Sequence, residues 1–246
     1  LSEEHDGILV LPADTPIGAR FVDVLPVQDW VFEIDNKSVN HRPDLWGHYG
    51  FARELAAIYG RPLQPLPAKV AMPASGIKVD VHVDDKQGCP RYCGLVLDGV
   101  TSGPSPHALR WQLAAVGQRA ISLPVDLTNY VMLDLGQPMH AFDLRHVGKG
   151  PIRVRKAKAN ETITTLDGQV RKLTDQDLLV CAGDKPEALA GVMGGAGTMV
   201  AADTTQLFLE SANFHASTIR RTSMRLSLRT DASARFEKAQ DPANAE

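Results

Sequence analysis

Three prolines fall within the seven-residue run 61–67, and this run limits how the chain can be organised more than any other feature. Proline fixes φ and has no backbone N–H, so a proline-rich run stays extended and separates packed units. We therefore divide the chain into a unit over residues 1–62 and a larger unit over residues 63–246. The chain begins at Leu1 instead of methionine, and we expect it to be a piece of a longer protein.

The composition is that of an ordinary globular protein. Hydrophobic residues make up 43% of the 246 residues and charged residues 22%, with a formal net charge of −3. These values exclude a disordered, collagen-like or disulfide-rich chain. No run approaches the ~18 apolar residues of a membrane span, and no basic-then-apolar signal segment is evident, so we predict a cytoplasmic protein without a membrane partner.

The three cysteines, Cys89, Cys93 and Cys181, predict a reduced intracellular protein with small buried thiols. Cys89 and Cys93 form a C-x3-C pair, but no second pair of cysteine or histidine follows at ligand spacing. We therefore predict that the chain holds no metal.

The hydrophobic pattern predicts a mixture of helices and strands. In the first unit we expect one helix from Pro43 to a stop at Gly60. In the second unit we expect Ser105 to cap a helix that ends at Gly117, and the last helix to run from about 216 to 226. The expected strands and turns of this unit lie at 77–83, 92–100, 165–168, 188–195 and 206–211.

Familiar catalytic signatures are absent from the sequence, including the phosphate-binding loop, the nucleophile elbow and the zinc-binding helix motif. The glycine-rich segment 191–197 lacks the lysine and hydroxyl of a phosphate loop. It is either a tight turn or the floor of a small pocket, where a ligand lies against bare backbone.

Two polar side chains stand in apolar surroundings. Glu210 ends an apolar strand and shares a face with Phe208, so it is either exposed or ion-paired, or it reaches into a cavity to accept a hydrogen bond. His140 is either a packed structural residue or a catalytic group. The pattern alone leaves both alternatives open for each residue.

Residues 219–238 carry six basic side chains against Asp231 and Glu237. Such a local basic surface is either a solvated helix face or a set of phosphate contacts. The weakly negative net charge argues against a strongly basic nucleic-acid coat protein.

Six segments, taken together and in this order, resemble the beta subunit of bacterial phenylalanyl-tRNA synthetase. The matching residues extend from 14 to 242, over nearly the whole chain. The segments are HRPDLWGHYGFARE (41–54), VDLTNYVM (125–132), GQPMHAFD (136–143), LAGVMGG (189–195), LESA (209–212), and IRRT with LRTDASARFE (219–222 and 228–237).

The resemblance implies an α+β fold: a mixed-sheet editing domain with β-sandwich-like layers and a small N-terminal helical, winged-helix-like unit. Residues 1–62 would form the C-terminal part of the family's first domain, and residues 63–246 the central editing domain, the fused third and fourth domains. The implied function is hydrolysis of tyrosine wrongly attached to tRNA(Phe), in support of phenylalanine–tRNA ligation.

The resemblance also implies a site. Glu210 corresponds to the acid that recognises the tyrosine hydroxyl, and His140 to a polar group of the same pocket; we assign both as catalytic. Arg220, Arg221 and Arg225 are predicted to contact tRNA. The run after Arg119 departs from the family's usual Arg-Pro-Ile-Asn-Asn pattern. The positions that would bind the substrate are Arg119, Thr128, Asn129, Pro138, Gly191, Gly194, Thr230 and Ala232.

The implied chemistry follows from the single hydroxyl that separates tyrosine from phenylalanine. A hydrophobic synthetic pocket rejects an added hydroxyl by only ~10²-fold, whereas a buried acceptor discriminates against the substrate that lacks it. Since no serine or cysteine nucleophile is evident, we expect a positioned water to attack the ester.

The resemblance implies no cofactor for this chain, and it places ATP and Mg²⁺ in the alpha subunit of the full enzyme. The implied partners are tRNA(Phe) and that alpha subunit, in a heterotetramer. The alternative is a non-catalytic module that contacts tRNA and scaffolds the alpha subunit.

Overall fold

The computed structural model describes residues 10–11, 13–25, 27–67, 70–72, 75–148 and 150–246; the first nine residues of the predicted 1–62 unit lie outside these ranges. This unit contains α1 (Phe21–Val24), 3₁₀ turns at Lys37–Val39 and Pro43–Leu45, and α2 (His48–Tyr59). The predicted helix is confirmed except at its start, because extended Gly47 separates the Pro43 turn from α2. Gly60 ends α2 with φ 59°, a left-handed conformation that suits glycine.

Two sheets form the second unit. The five-stranded sheet has the order β1 (Val81–Val83), β4 (Ile152–Lys156), β7 (Leu178–Ala182), β8 (Lys185–Leu189), β9 (Met193–Gly194). The three-stranded sheet has the order β2 (Arg91–Asp98), β10 (Gln206–Asn213), β3 (Met139–Asp143). A separate hairpin joins β5 (Thr162–Thr164) to β6 (Val170–Lys172).

The strands confirm the predicted α+β class with a mixed sheet. β1 and β4 run parallel, whereas the other neighbouring strands of the described sheets run antiparallel. Phe142 and Phe208 of the smaller sheet belong to the same buried apolar cluster as Val154 and Leu179 of the larger one. The two sheets therefore share one core, in which burial of apolar surface is the main stabilising contribution.

Several predicted boundaries were wrong. The strand expected over 77–83 forms only at Val81–Val83. Ser105 does not cap α3 (His107–Ala115); its hydroxyl donates to the buried carboxylate of Asp126, and Pro106 is the cap residue. Helix α4 (Leu123–Leu135) was not predicted, because its apolar residues do not fall on one stripe.

The helix after β10 is confirmed as α6 (Ala216–Arg225), but it is not the last one. Helix α5 (Leu144–Val147) follows β3, and α7 (Asp231–Phe236) follows α6. Helix α7 begins with a capping box, in which Thr230 and Ser233 exchange hydrogen bonds. A 3₁₀ turn at Pro242–Ala245 follows α7.

The first unit packs on the second despite the extended run at 61–67. A Cβ at Gly47 would lie 2.4 Å from the backbone nitrogen of Gly136, so the two backbone segments approach as closely as two glycines permit. The Nε of Arg235 donates to the carbonyl oxygen of Trp46 at 3.1 Å, and the Lys238 ammonium lies 4.8 Å from the centre of the Trp46 ring. These contacts dock the start of α2 against α4 and α7.

Candidate functional site

Glu210 lies on the central strand of the smaller sheet. Its Cα pairs with His140 on β3 and with Gly94 on β2. Because directly opposed residues of antiparallel strands share a face, the side chains of Glu210 and His140 lie together on the face that packs against the larger sheet. At Gly94, a Cβ would lie 2.3 Å from Cζ of Phe208, so the missing side chain makes room for that ring.

The Glu210 carboxylate is almost completely enclosed, with 8% of the residue exposed. Tyr92 donates its phenolic hydrogen to Oε2 of Glu210 at 2.6 Å, and no other described residue donates to this carboxylate. Burial raises the pKa of Glu210 to about 7, although the Tyr92 hydrogen bond opposes that rise. Burial and the nearby carboxylate also raise the pKa of Tyr92 well above its ordinary value, so the phenol keeps its proton.

His140 is neutral at pH 7, because burial lowers its pKa to about 4. Its ring packs edge-on against Phe142, with the ring centres 4.4 Å apart. A Cβ at Gly194 would lie 2.5 Å from Cε1 of His140, so β9 of the larger sheet passes directly against the imidazole. Within the described residues the imidazole nitrogens form no hydrogen bond. A neutral imidazole offers one donor and one acceptor to a ligand.

The glycine-rich segment forms a turn that approaches the same place. Gly191 has φ 66°, and a Cβ there would lie 3.0 Å from both Ile219 and Phe214, which gives it a packing role in the core. The hydroxyl of Thr230 donates to the carbonyl oxygen of Val192 at 2.7 Å and so ties the start of α7 to this turn. The next residue but one, Ala232, is half-buried against the core.

The remaining predicted binding residues lie on two other segments. Thr128 and Asn129 lie on α4, which packs against β3, and the Thr128 hydroxyl donates within the helix to the carbonyl oxygen of Val125 at 2.7 Å. Pro138 is buried immediately before β3. Arg119 is exposed between α3 and α4. Among the described residues, no hydrogen bond joins Thr128, Asn129 or Pro138 to Glu210 or His140.

The predicted tRNA-contacting arginines differ in their surroundings. Arg225 donates to Asp177, which is 1% exposed, and to the carbonyl oxygen of Lys172 at 3.2 Å, so it takes part in the protein's own structure. Arg220 and Arg221 are exposed on α6, and Arg221 donates to the carbonyl oxygen of Ser217 at 3.1 Å. All three arginines are exposed on α6, and among the described residues Arg225 alone of the three forms an ion pair.

Tyr92 was missed by sequence reasoning. The strand pattern placed it on β2, but the sequence alone carried no signal for the pairing of β2 with β10 that brings its hydroxyl to Glu210. Two clefts, of about 460 Å³ beside α2 and about 380 Å³ beside Arg145 and Lys185, are lined by neither Glu210 nor His140.

The described residues contain neither a cluster of metal ligands nor a membrane-spanning helix. No group of three or more histidine, cysteine, aspartate or glutamate side chains is arranged there to hold a metal ion. None of the described helices has the length and apolar character needed to cross a membrane.

We expect Glu210 to make stability depend on pH. Its pKa is about 7 when folded and near 4.5 when exposed, so between these values the folded state binds more protons and stability falls as pH rises. Glutamine does not titrate, so the Glu210→Gln protein does not lose stability in this way as the pH rises. Its free energy of unfolding, relative to that of the parent, should rise by on the order of 3 kcal/mol between pH 4.5 and pH 8. Urea unfolding of both proteins at the two pH values measures this difference.

His140 makes stability depend on pH in the opposite direction. Because its pKa is lowered in the folded protein, stability falls as the pH decreases from about 6.5 to about 4. Both proteins contain His140, so its effect cancels in the comparison. A difference in stability that stays constant with pH would contradict the buried, titrating state of Glu210.

Comparison with known proteins identifies the family. Residues 88–246 match the model of the B3/4 domain family. The chain is 46% identical over 244 residues to the phenylalanine–tRNA ligase beta subunit of Solibacter usitatus, covering 99% of this chain and 31% of that protein. It is 44% identical to the corresponding subunit of Desulfotalea psychrophila, covering 98% of this chain and 30% of that protein.

A solved N-terminal fragment of the phenylalanyl-tRNA synthetase beta subunit from Pyrococcus horikoshii aligns with a TM-score of 0.43 and 18% identity, over 78% of this chain and 60% of that one. The chain thus spans less than a third of the length of the two ligase subunits it matches. The resemblance drawn from the sequence is confirmed. Because the family model covers more than half of its residues, the chain belongs to the B3/4 domain family.

Proposed function

We propose that this chain is the editing portion of a phenylalanine–tRNA ligase beta subunit and hydrolyses tyrosine from tRNA(Phe). The observation that carries the proposal is the buried Glu210 carboxylate, which has one oxygen held by Tyr92 and no described donor for the other. An enclosed acceptor of this kind costs free energy when a bound substrate excludes water without supplying the missing donor. The phenolic hydroxyl of a tyrosyl group is such a donor, and phenylalanine lacks it.

The neighbouring residues fit the same substrate. Gly194 leaves room for the imidazole of His140, whose Cε1 would lie 2.5 Å from a Cβ at that position, so the glycine lets the histidine stand beside Glu210. The neutral imidazole of His140 can donate to, or accept from, the terminal ribose or an attacking water. Water adds to the ester carbonyl, the bond from the carbonyl carbon to the ribose oxygen breaks, and free tyrosine and a ribose hydroxyl result.

The division of the protein stays as proposed from the sequence. We assign residues 1–62 to the end of the first domain and residues 63–246 to the editing domain, in a cytoplasmic enzyme. Following the family resemblance, ATP and Mg²⁺ are assigned to the alpha subunit of the full enzyme. The proposed partners are that subunit and tRNA(Phe), with Arg220, Arg221 and Arg225 as the exposed basic contacts.

The second candidate is a non-catalytic module that contacts tRNA and scaffolds the alpha subunit. Exposed apolar side chains favour it: Trp30 is 86% exposed, Phe32 80%, and Ile58 and Tyr59 on α2 are 66% and 70% exposed. Such apolar exposure is typical of a surface that another protein covers. An editing hydrolase that binds an alpha subunit would expose the same apolar side chains. A measurement of hydrolysis is therefore needed to distinguish the two candidate functions.

Single-turnover deacylation tests the proposal. The complete ligase and the 246-residue chain are each incubated with tyrosyl-tRNA(Phe) and with phenylalanyl-tRNA(Phe), and release of the amino acid is followed. We expect the ligase to release tyrosine at least about tenfold faster than phenylalanine, as one charge-assisted hydrogen bond allows. Equal, uncatalysed rates for both substrates would leave the scaffold as the function.

A further inference from the structure

Tyr92 and Glu210 meet because of the strand register. Tyr92 pairs with Ala212, two residues along β10 from Glu210, so the two side chains are diagonal neighbours on one face of the smaller sheet. Gly94, directly opposite Glu210, has no side chain to stand between them. The phenol therefore reaches the carboxylate, and its oxygen lies 2.6 Å from Oε2.

The direction of this hydrogen bond is fixed when Glu210 is ionised, above its pKa of about 7. An ionised carboxylate only accepts, so the Tyr92 hydroxyl must donate, and it keeps its proton because its own pKa lies well above the ordinary value. Oε2 is therefore occupied in the substrate-free protein. Oε1 makes no hydrogen bond within the described residues and stays the acceptor open to an incoming group.

We propose that Tyr92 is a specificity-determining positioning residue, whose hydroxyl holds Oε2 of Glu210 so that Oε1 alone faces the ring hydroxyl of the substrate. The inference rests on the proposed function and deepens it, because it explains how a carboxylate with two oxygens accepts one substrate hydroxyl in one orientation. Without this hydrogen bond, the carboxyl group of Glu210 would be free to rotate and would stay protonated over a wider pH range. The proton on the carboxyl group would then compete with the proton of the substrate's ring hydroxyl.

Three other titratable groups bear on the charge of Glu210. His140 on β3 is neutral, and Cys89, just before β2, keeps its proton because burial and then Glu210 raise its pKa to about 12. Tyr92 is the third. Neither His140 nor Cys89 changes charge near pH 7, so a change in the titration of Glu210 on substitution of Tyr92 reports the hydrogen bond itself.

The test is Tyr92→Phe, which keeps the ring and removes the donor; Tyr59→Phe on α2, where the side chain is 70% exposed, is the matched control. We expect Tyr92→Phe to slow hydrolysis of tyrosyl-tRNA(Phe) by the complete ligase about tenfold at pH 7, with hydrolysis of phenylalanyl-tRNA(Phe) unchanged. In the carbon-13-labelled 246-residue chain, the carboxyl resonance of Glu210 should titrate about one pH unit higher than in the parent.

The outcomes separate this inference from the proposed function. If Glu210→Ala abolishes the preference for tyrosine but Tyr92→Phe changes neither rates nor titration, the inference fails and the editing function stands. Equal slowing of both substrates by Tyr92→Phe would make Tyr92 merely structural and would also overturn the inference. If the parent ligase shows no preference for tyrosyl-tRNA(Phe), both fail together.

Discussion

Replacing Glu210 by alanine should reduce the choice between substrates far more than it disturbs the fold. A hydrogen bond from the tyrosine hydroxyl to an enclosed carboxylate contributes roughly 1.5–3 kcal/mol, about ten- to a hundredfold in rate when it is made in the transition state. Hydrolysis of tyrosyl-tRNA(Phe) should fall by that factor. Hydrolysis of phenylalanyl-tRNA(Phe) should hold or rise, because phenylalanine no longer buries an acceptor without a donor.

Glu210→Gln supplies the graded comparison, since the amide keeps an acceptor oxygen but carries no charge. Its rate on tyrosyl-tRNA(Phe) should fall between those of the parent and the alanine variant. A melting curve shows whether each protein is folded, which matters because alanine leaves the buried Tyr92 hydroxyl without its acceptor. Equal losses on both substrates in a folded Glu210→Ala protein would rule out recognition of the hydroxyl and leave Glu210 as a general catalytic or structural group.

Gly194→Ala should damage both hydrolyses together. The new Cβ would lie 2.5 Å from Cε1 and 2.8 Å from Nε2 of His140, closer than real Cβ contacts come, so the imidazole must move. His140 also packs edge-on against Phe142, with the ring centres 4.4 Å apart, so the imidazole cannot move without disturbing its packing beside Glu210. We expect at least about a tenfold loss with either charged tRNA, together with about 1–3 kcal/mol of destabilisation from overpacking.

Gly103→Ala is the matched control, because a Cβ at Gly103 meets nothing within 4 Å. It should leave both rates and the melting temperature close to those of the parent. His140→Ala should reproduce the kinetic loss of Gly194→Ala without the overpacking, if His140 handles the ribose or water common to both substrates. Full activity in a folded Gly194→Ala protein would show that the position of the imidazole does not matter for hydrolysis.

The sequence predicted those parts of the fold that depend on neighbouring residues. The helix stop at Gly60 and the turn at Gly168 follow from local backbone preferences, and both glycines have positive φ. The strand containing Glu210 was predicted from its apolar run. Helix α4 was not, because its apolar residues are spread around the helix, with Leu127, Tyr130 and Leu135 exposed, and give no single stripe to detect.

The candidate site was predictable only in part, for a physical reason. Glu210 and His140 stood out as polar residues in apolar surroundings, but their pairing across β10 and β3 depends on strand register between segments 70 residues apart. Tyr92 is 118 residues from Glu210 and has no local signal that distinguishes it from a packed aromatic. Likewise, the pairing of Arg225 with Asp177 was hidden among the basic residues of α6.

The central position of β10 in the smaller sheet also bears on how the site is made during synthesis. β2 and β3 leave the ribosome first, yet each hydrogen-bonds to β10 and neither pairs with the other. Contacts between such distant segments close large loops and form late. Tyr92 and His140 are thus synthesised long before Glu210, and the strand that carries the acidic group is also the one that brings the other two together. On this topology, Tyr92, His140 and Glu210 come together only when β10 pairs with both β2 and β3.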